Sequence, residues 1–169
     1  MWRMAELVEE LLARIEALEA ERAILRTIFA CAAAIDAGDE EAFVACFTVD
    51  GEFEASGASR DATTFRIRGE AELAEFLAGH TRPPERRHRH VVAEPIVEVE
   101  GDEATCRSYF MVVVEHEGEP VLRTFGRYED RLRREGDGTW RLQRRSAELD
   151  SLRPGLPPLA YGRGASGGG

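Results

Sequence analysis

From Arg87 to Leu149 the chain reads as four extended stretches, "RHRHVVAEPIVEVEG", "EATCRSYFMVVVEHEG", "PVLRTFGRYEDRLRREG" and "TWRLQRRSAEL". Only the short glycine-bearing turns "EGDE", "EHEGEP" and "EGDGT" separate them. Turns this short leave no room for a crossover helix, so the four strands must form an antiparallel meander. Strands do not alternate with helices, which disfavours a doubly wound parallel sheet. The helical periodicity lies upstream, and helices followed by a long antiparallel sheet make an α+β chain whose helices close one face of a curved sheet.

A chain of 169 residues is long enough for one domain with a substantial core. Its composition, 43% hydrophobic and 32% charged, is ordinary for a soluble globular protein. The formal net charge of −10 disfavours a nucleic-acid backbone as partner. All 22 basic residues are arginine, so Schiff-base chemistry, which needs a lysine amine, is excluded. Cys31, Cys46 and Cys106 are widely spaced in apolar surroundings and read as buried small hydrophobes. The segment "MWRMAELVEELLARIEALEAERAI" is too rich in glutamate for a signal peptide or a membrane span, and a cytoplasmic location is expected. "YGRGASGGG" reads as a flexible tail.

Residues 4 to about 36 carry helical periodicity. Met4, Val8, Leu11, Ile15, Leu18 and Leu25 recur at alternating spacings of four and three, with Arg22 as the polar interruption. Such a stripe either packs on the domain's own sheet or serves as a dimer or partner helix. Gly38 supplies the helix stop, and Asp39 with Glu40 and Glu41 caps a second, short helix running through Phe47. A strand, a loop and a second strand follow in "DGEFEASG" and "TFRIRG", then a helix in "GEAELAEFLAGH". Asp36 has no such structural duty. A carboxylate in the last turn of a helix faces the negative end of the dipole, which costs about 0.3–1 kcal/mol, so another group is expected to hold it.

In this order, "AIDAGDEEAFVACFTVDGEF", "RIRGEAELAEFL", "RHRHVVAEPIVEVEGDEATCRSYFMVVV" and "FGRYEDRLRREGDGTWRLQRR" resemble the SnoaL-like branch of the nuclear transport factor 2-like superfamily. Scytalone dehydratase, ketosteroid isomerase and polyketide cyclases share this cone-shaped α+β fold. The resemblance covers roughly residues 22–148, leaving 1–21 as a helical extension, 22–153 as the domain and 154–169 as the tail. It implies a homodimer. It also implies an acid–base pair of Asp36, from "AIDAGD", and His90, from "RHRHVV". The tyrosine often found one turn before that aspartate is missing, with Cys31 and Ala32 in its place, and a second catalytic histidine of scytalone dehydratase falls near Ser108.

The chemistry that follows is a cofactor-independent lyase or isomerase acting on a small, apolar, cyclic or polyketide-like carbonyl compound. Dehydration is the first choice, and cyclisation or double-bond migration the second. His90 would move a proton α to the carbonyl, and its imidazolium would restore the charged form of Asp36, which the dipole and desolvation disfavour. Ser108, Tyr109, Phe110, Arg127, Tyr128 and Phe53 are the candidate substrate-binding residues. His88 lies on the same strand face as His90, so His-x-His with Asp36 sketches a metal site, but no fourth ligand is indicated and none is assigned. His80 and His116 sit beside turn signals and are expected to be solvated. The competing reading is a non-catalytic ligand-binding or association module of the same fold; a small subunit supporting a larger oxygenase is a further one.

Overall fold

Gly38, with φ of 69°, stops the first helix. Its N–H donates to the Ile35 carbonyl at 3.2 Å and that of Asp39 to Ala34 at 3.0 Å, a pair of bonds that closes the last turn around a left-handed residue. The computed structural model describes residues 2–57, 65–80, 83 and 87–156. Helix α1 spans Trp2–Ala37, and α2, Glu40–Ala45, begins at Asp39, whose side chain accepts from the Ala42 N–H at 3.0 Å. Then come β1 (Phe47–Gly57), β2 (Phe65–Arg68), α3 (Gly69–Ala78), β3 (His88–Glu100), β4 (Glu103–His116), β5 (Glu119–Arg134) and β6 (Trp140–Leu152). The second helix ends two residues short of the expected Phe47, which already opens β1.

The six strands lie in the order β2-β1-β6-β5-β4-β3. Strands β3 to β6 form the expected antiparallel meander, while β1 pairs parallel with β6, so the sheet is mixed. Its long strands bend at register breaks. One lies in β3 between Ala93 and Ile96, where Glu94 takes φ 52°, and another in β5 opposite Val112 and Val113. A bulge adds a residue to one strand of a pair and increases local twist, which curls the sheet around the helices. The concave face and the helices enclose a core that includes Ile24, Ile28, Phe43, Leu73, Phe76, Leu132 and Leu142. Trp140 is buried there too.

Gly126 marks the closest approach of two strands. A Cβ there would stand 2.0 Å from the Glu148 carbonyl oxygen, whereas one on Gly136 would meet nothing within 4 Å. Gly126→Ala is therefore expected to cost about 1–3 kcal/mol of stability and Gly136→Ala close to nothing. Urea denaturation of the two variants checks this, and equal midpoints would contradict so close an approach of β5 to β6.

The N-terminal stripe does not pack on the sheet. Met4, Val8, Leu11, Ile15 and Leu18 are all exposed, and α1 first packs against the core at Ala20 and contributes fully buried residues to it from Ile24 onward. No helix among the described residues is long and apolar enough to cross a membrane. Residues 157–169, which include most of the predicted tail, and residues 81–82 and 84–86 before His88 lie outside the described residues.

Candidate active site

The end of α1 and the start of β3 meet at Asp36. Its Oδ1 accepts from the His90 backbone N–H at 3.0 Å, Oδ2 accepts from the same N–H at 3.1 Å, and His90 Nδ1 lies 2.8 Å from Oδ1. These contacts answer the dipole penalty: the carboxylate at the wrong end of its helix is held by two donors of one residue 54 positions away. A carboxylate at Asp36 can only accept, so in the neutral ring the proton sits on Nδ1 and the lone pair on Nε2. His90 lines a cavity of about 90 Å³, and Asp36, only 8% exposed, stands behind it.

The cavity is mostly apolar. Phe53, Phe65, Phe76 and Phe110 contribute to its wall, and Tyr128 stacks on Phe110 with ring centroids 4.3 Å apart. Its polar groups are His80, His90, Arg123 and Thr124, so a few hydrogen-bonding side chains converge in a hydrophobic chamber.

His88 is fully buried next to this pair. Its Nε2 lies 3.6 Å from Asp36 Oδ1, and neither ring nitrogen makes a hydrogen bond of normal geometry among the described residues. Burial lowers its pKa to about 4, reinforced by the neighbouring His90 and opposed by Asp36 and the Ile35 carbonyl. The ring is thus neutral at pH 7 and packs behind the two imidazoles that line the cavity, its centroid 4.9 Å from His80 and 5.4 Å from His90. Donor atoms of Asp36, His88 and His90 all lie within 4.8 Å of one another, a spacing that could also bracket a divalent cation.

A consequence for stability follows. The folded pKa of His88, about 4, lies below its unfolded value of about 6.5, so the unfolded chain binds the extra proton between those limits. Stability is fully present above about pH 6.5 and falls by up to about 3 kcal/mol as pH drops toward 4. Thermal melts of wild type and His88→Phe across this window should show a shallower decline in the variant; parallel declines would contradict it.

The other predicted residues divide between the two sheet faces. Phe53, Phe110 and Tyr128 line the cavity. Ser108 points inward and is buried, in register with Tyr128, but does not line the cavity. Tyr109 and Arg127 are corrections: they lie on the opposite, outer face, 56% and 49% exposed, and Arg127 pairs there with Glu148 and Asp150. Strand alternation sends the neighbours of inward Ser108 and Tyr128 outward. His80 is also a correction. It is buried at the cavity rather than solvated, because α3 ends two residues earlier and turns its side chain under Phe76 and against His88. His116 is half-buried at its turn.

Arg123 and Thr124 were not anticipated. With Thr124, Gly126 and Tyr128 facing inward, alternation would send Arg123 outward, but the register break opposite Val112 and Val113 turns it inward beside Thr124. The consecutive pair "RT" within an alternating run is the sole hint the sequence offers.

The SnoaL-like domain family model matches residues 16–146. Among solved structures, the chain is similar to Rv3472, a Mycobacterium tuberculosis protein of unknown function determined with an aspartate-to-asparagine substitution. Identity is 31% over 86% of this chain and 76% of that one, with a TM-score of 0.66. An NTF2-like protein with a cystatin-like fold from Novosphingobium aromaticivorans is 25% identical over 88% and 92% of the two chains, TM-score 0.67. A candidate scytalone dehydratase from the same organism, 22% identical over 89% and 97%, TM-score 0.64, shares the fold. No curated protein matches. With its helices on one face of a curved mixed sheet and the family model spanning most of its length, the chain belongs to the SnoaL-like domain family.

Proposed function

We propose that the protein is a cofactor-independent acid–base lyase or isomerase for a small, apolar, cyclic or polyketide-like carbonyl compound, with dehydration of a β-hydroxy ketone as the leading reaction. One observation carries this reading: an imidazole faces an apolar cavity with a buried carboxylate bonded to its far nitrogen at 2.8 Å. The family and the likeness to a candidate scytalone dehydratase support the same class.

In this scheme His90 Nε2 removes the proton α to the carbonyl, and the electron pair moves to the carbonyl oxygen as an enolate. Asp36 orients the ring and stabilises the imidazolium that forms. The enolate then expels the β-hydroxyl, which leaves as water with the proton His90 returns; in the isomerisation variant the proton goes to another carbon. Arg123, buried in the cavity wall, places a cation toward the enolate oxygen, and His80 is a second polar contact. The volume of about 90 Å³ is small beside the roughly 300–1,000 Å³ of drug-sized pockets, so a cyclic substrate must push rim side chains such as Phe65 and Leu152 aside.

The test is enone formation from a panel of cyclic β-hydroxy ketones, followed by absorbance, with wild type, Asp36→Asn and His90→Gln. Turnover by wild type alone supports the proposal. Saturable binding without turnover would favour the ligand-binding module instead.

A further inference from the structure

The first five turns of α1 project beyond the domain with an apolar stripe that none of the described residues covers. Met4, Leu11 and Leu18, with Leu25, occupy one set of positions seven apart, and Val8 and Ile15, with Arg22 and Phe29, the other. Together they form a heptad seam, exposed at every apolar position from Met4 to Leu18 and again at Phe29. On an ideal helix this seam is centred about 140° around the axis from the core-facing stripe of Ile24, Ile28, Cys31 and Ile35. A second helix can therefore lie along it without displacing the helix from its own sheet.

We infer that this seam is filled by the same seam of a second copy, in a parallel, in-register two-stranded coiled coil. Three features select that occupant. The first is core shape: β-branched Val8 and Ile15 at one seam position with Leu11, Leu18 and Leu25 at the other is the pattern that favours parallel dimers. The second is the flanks. In a parallel pair, each residue just before a Val8-type position faces the residue five further along the other helix. That sets Leu7 against Leu12 of the second copy, Arg14 against Glu19, and Glu21 against Arg26. All three pairs are complementary, one apolar and two of opposite charge, and Leu7 and Leu12 are exposed in the single chain.

The third feature is Arg22, the one polar residue in the seam. A single polar residue at such a layer costs stability but fixes register and two-strandedness, and Glu21 of the second copy lies beside it to take its charge. Arg14 meets Glu10 of its own helix at 2.6 Å in the isolated chain. Positions 14 and 19, five apart, do not face each other within one helix.

The 169-residue chain is therefore expected to run as a dimer, twice the 18.8 kDa chain mass, by light scattering on a sizing column at micromolar concentration. Ile15→Asp should raise the dissociation constant at least about 100-fold while leaving the near-ultraviolet circular dichroism of the domain unchanged, since residue 15 touches none of the core. Arg14→Glu should weaken the dimer roughly tenfold at low salt, and adding Glu19→Arg should restore it. A monomeric or trimeric wild type, or a dimer indifferent to Ile15→Asp, would overturn the inference. Failure of Glu19→Arg to rescue would overturn the parallel register.

Discussion

Asp130→Ala is expected to destabilise the protein by about 3–5 kcal/mol, a large part of the roughly 5–15 kcal/mol that holds a domain together. Asp130 and Arg145 are 2% and 1% exposed and meet through two parallel bonds, Nε to Oδ1 at 2.9 Å and Nη2 to Oδ2 at 2.8 Å. The guanidinium also lies over the Tyr128 ring, 4.3 Å from its centroid, and donates to Cys31 Sγ at 3.3 Å. Without its carboxylate the cation stays buried and charged, because an arginine does not escape burial by losing its proton. Its pKa is already held above the usual arginine value by Asp130, against the opposing effect of burial.

Replacing both residues with apolar ones, Asp130→Leu with Arg145→Met, should be far milder than Asp130→Ala alone. Desolvating an ion pair consumes most of what the pair gains. A urea denaturation cycle over the single and double variants measures this; a loss below about 1 kcal/mol for Asp130→Ala would mean that water reaches the pair. The pair bears on the cavity as well, since Arg145 supports Tyr128, which stacks on Phe110 in the wall.

The second large effect is kinetic. Asp36→Asn keeps the shape of the side chain but can present an N–H to His90 Nδ1, which turns the proton-bearing tautomer around and blocks the Nε2 lone pair that faces the cavity. A fall in kcat/KM of about 10²–10⁴ is expected on any substrate that the protein proves to turn over. His90→Gln should fall by a similar factor, and the double variant no further than the worse single one, because two residues acting as one unit are not additive. Tyr109→Phe, on the outer face, should leave the rate unchanged. Multiplicative losses in the double variant would show that the two side chains act independently.

What the sequence made legible was local and periodic. The Gly38 stop and the Asp39 cap follow from backbone needs that few residues meet, and three short turns left the meander no alternative. Asp36 was visible as an anomaly, an acid at the wrong end of a helix, before any partner was known. What escaped depended on register and on chain direction after an element ends. The parallel pairing of β1 with β6 joins segments at opposite ends of the domain, which no local pattern encodes. One extra residue in β5 brought Arg123 into the cavity against the alternation, and the turn after α3 buried His80, which its place beside a turn signal suggests is solvated. Tyr109 shows the converse: an aromatic beside inward residues on a strand belongs to the other face.

The central claim, that His90 with Asp36 behind it moves a proton α to a carbonyl, is tested most directly by isotope exchange. A small cyclic ketone without a β-hydroxyl group is incubated with the protein in D₂O, and loss of its α-proton signals is followed by NMR. This isolates the step common to dehydration, isomerisation and cyclisation. The account predicts α-deuteration well above the buffer rate with wild-type protein and its collapse toward that rate in both Asp36→Asn and His90→Gln. Exchange at the same rate in all three proteins would contradict it.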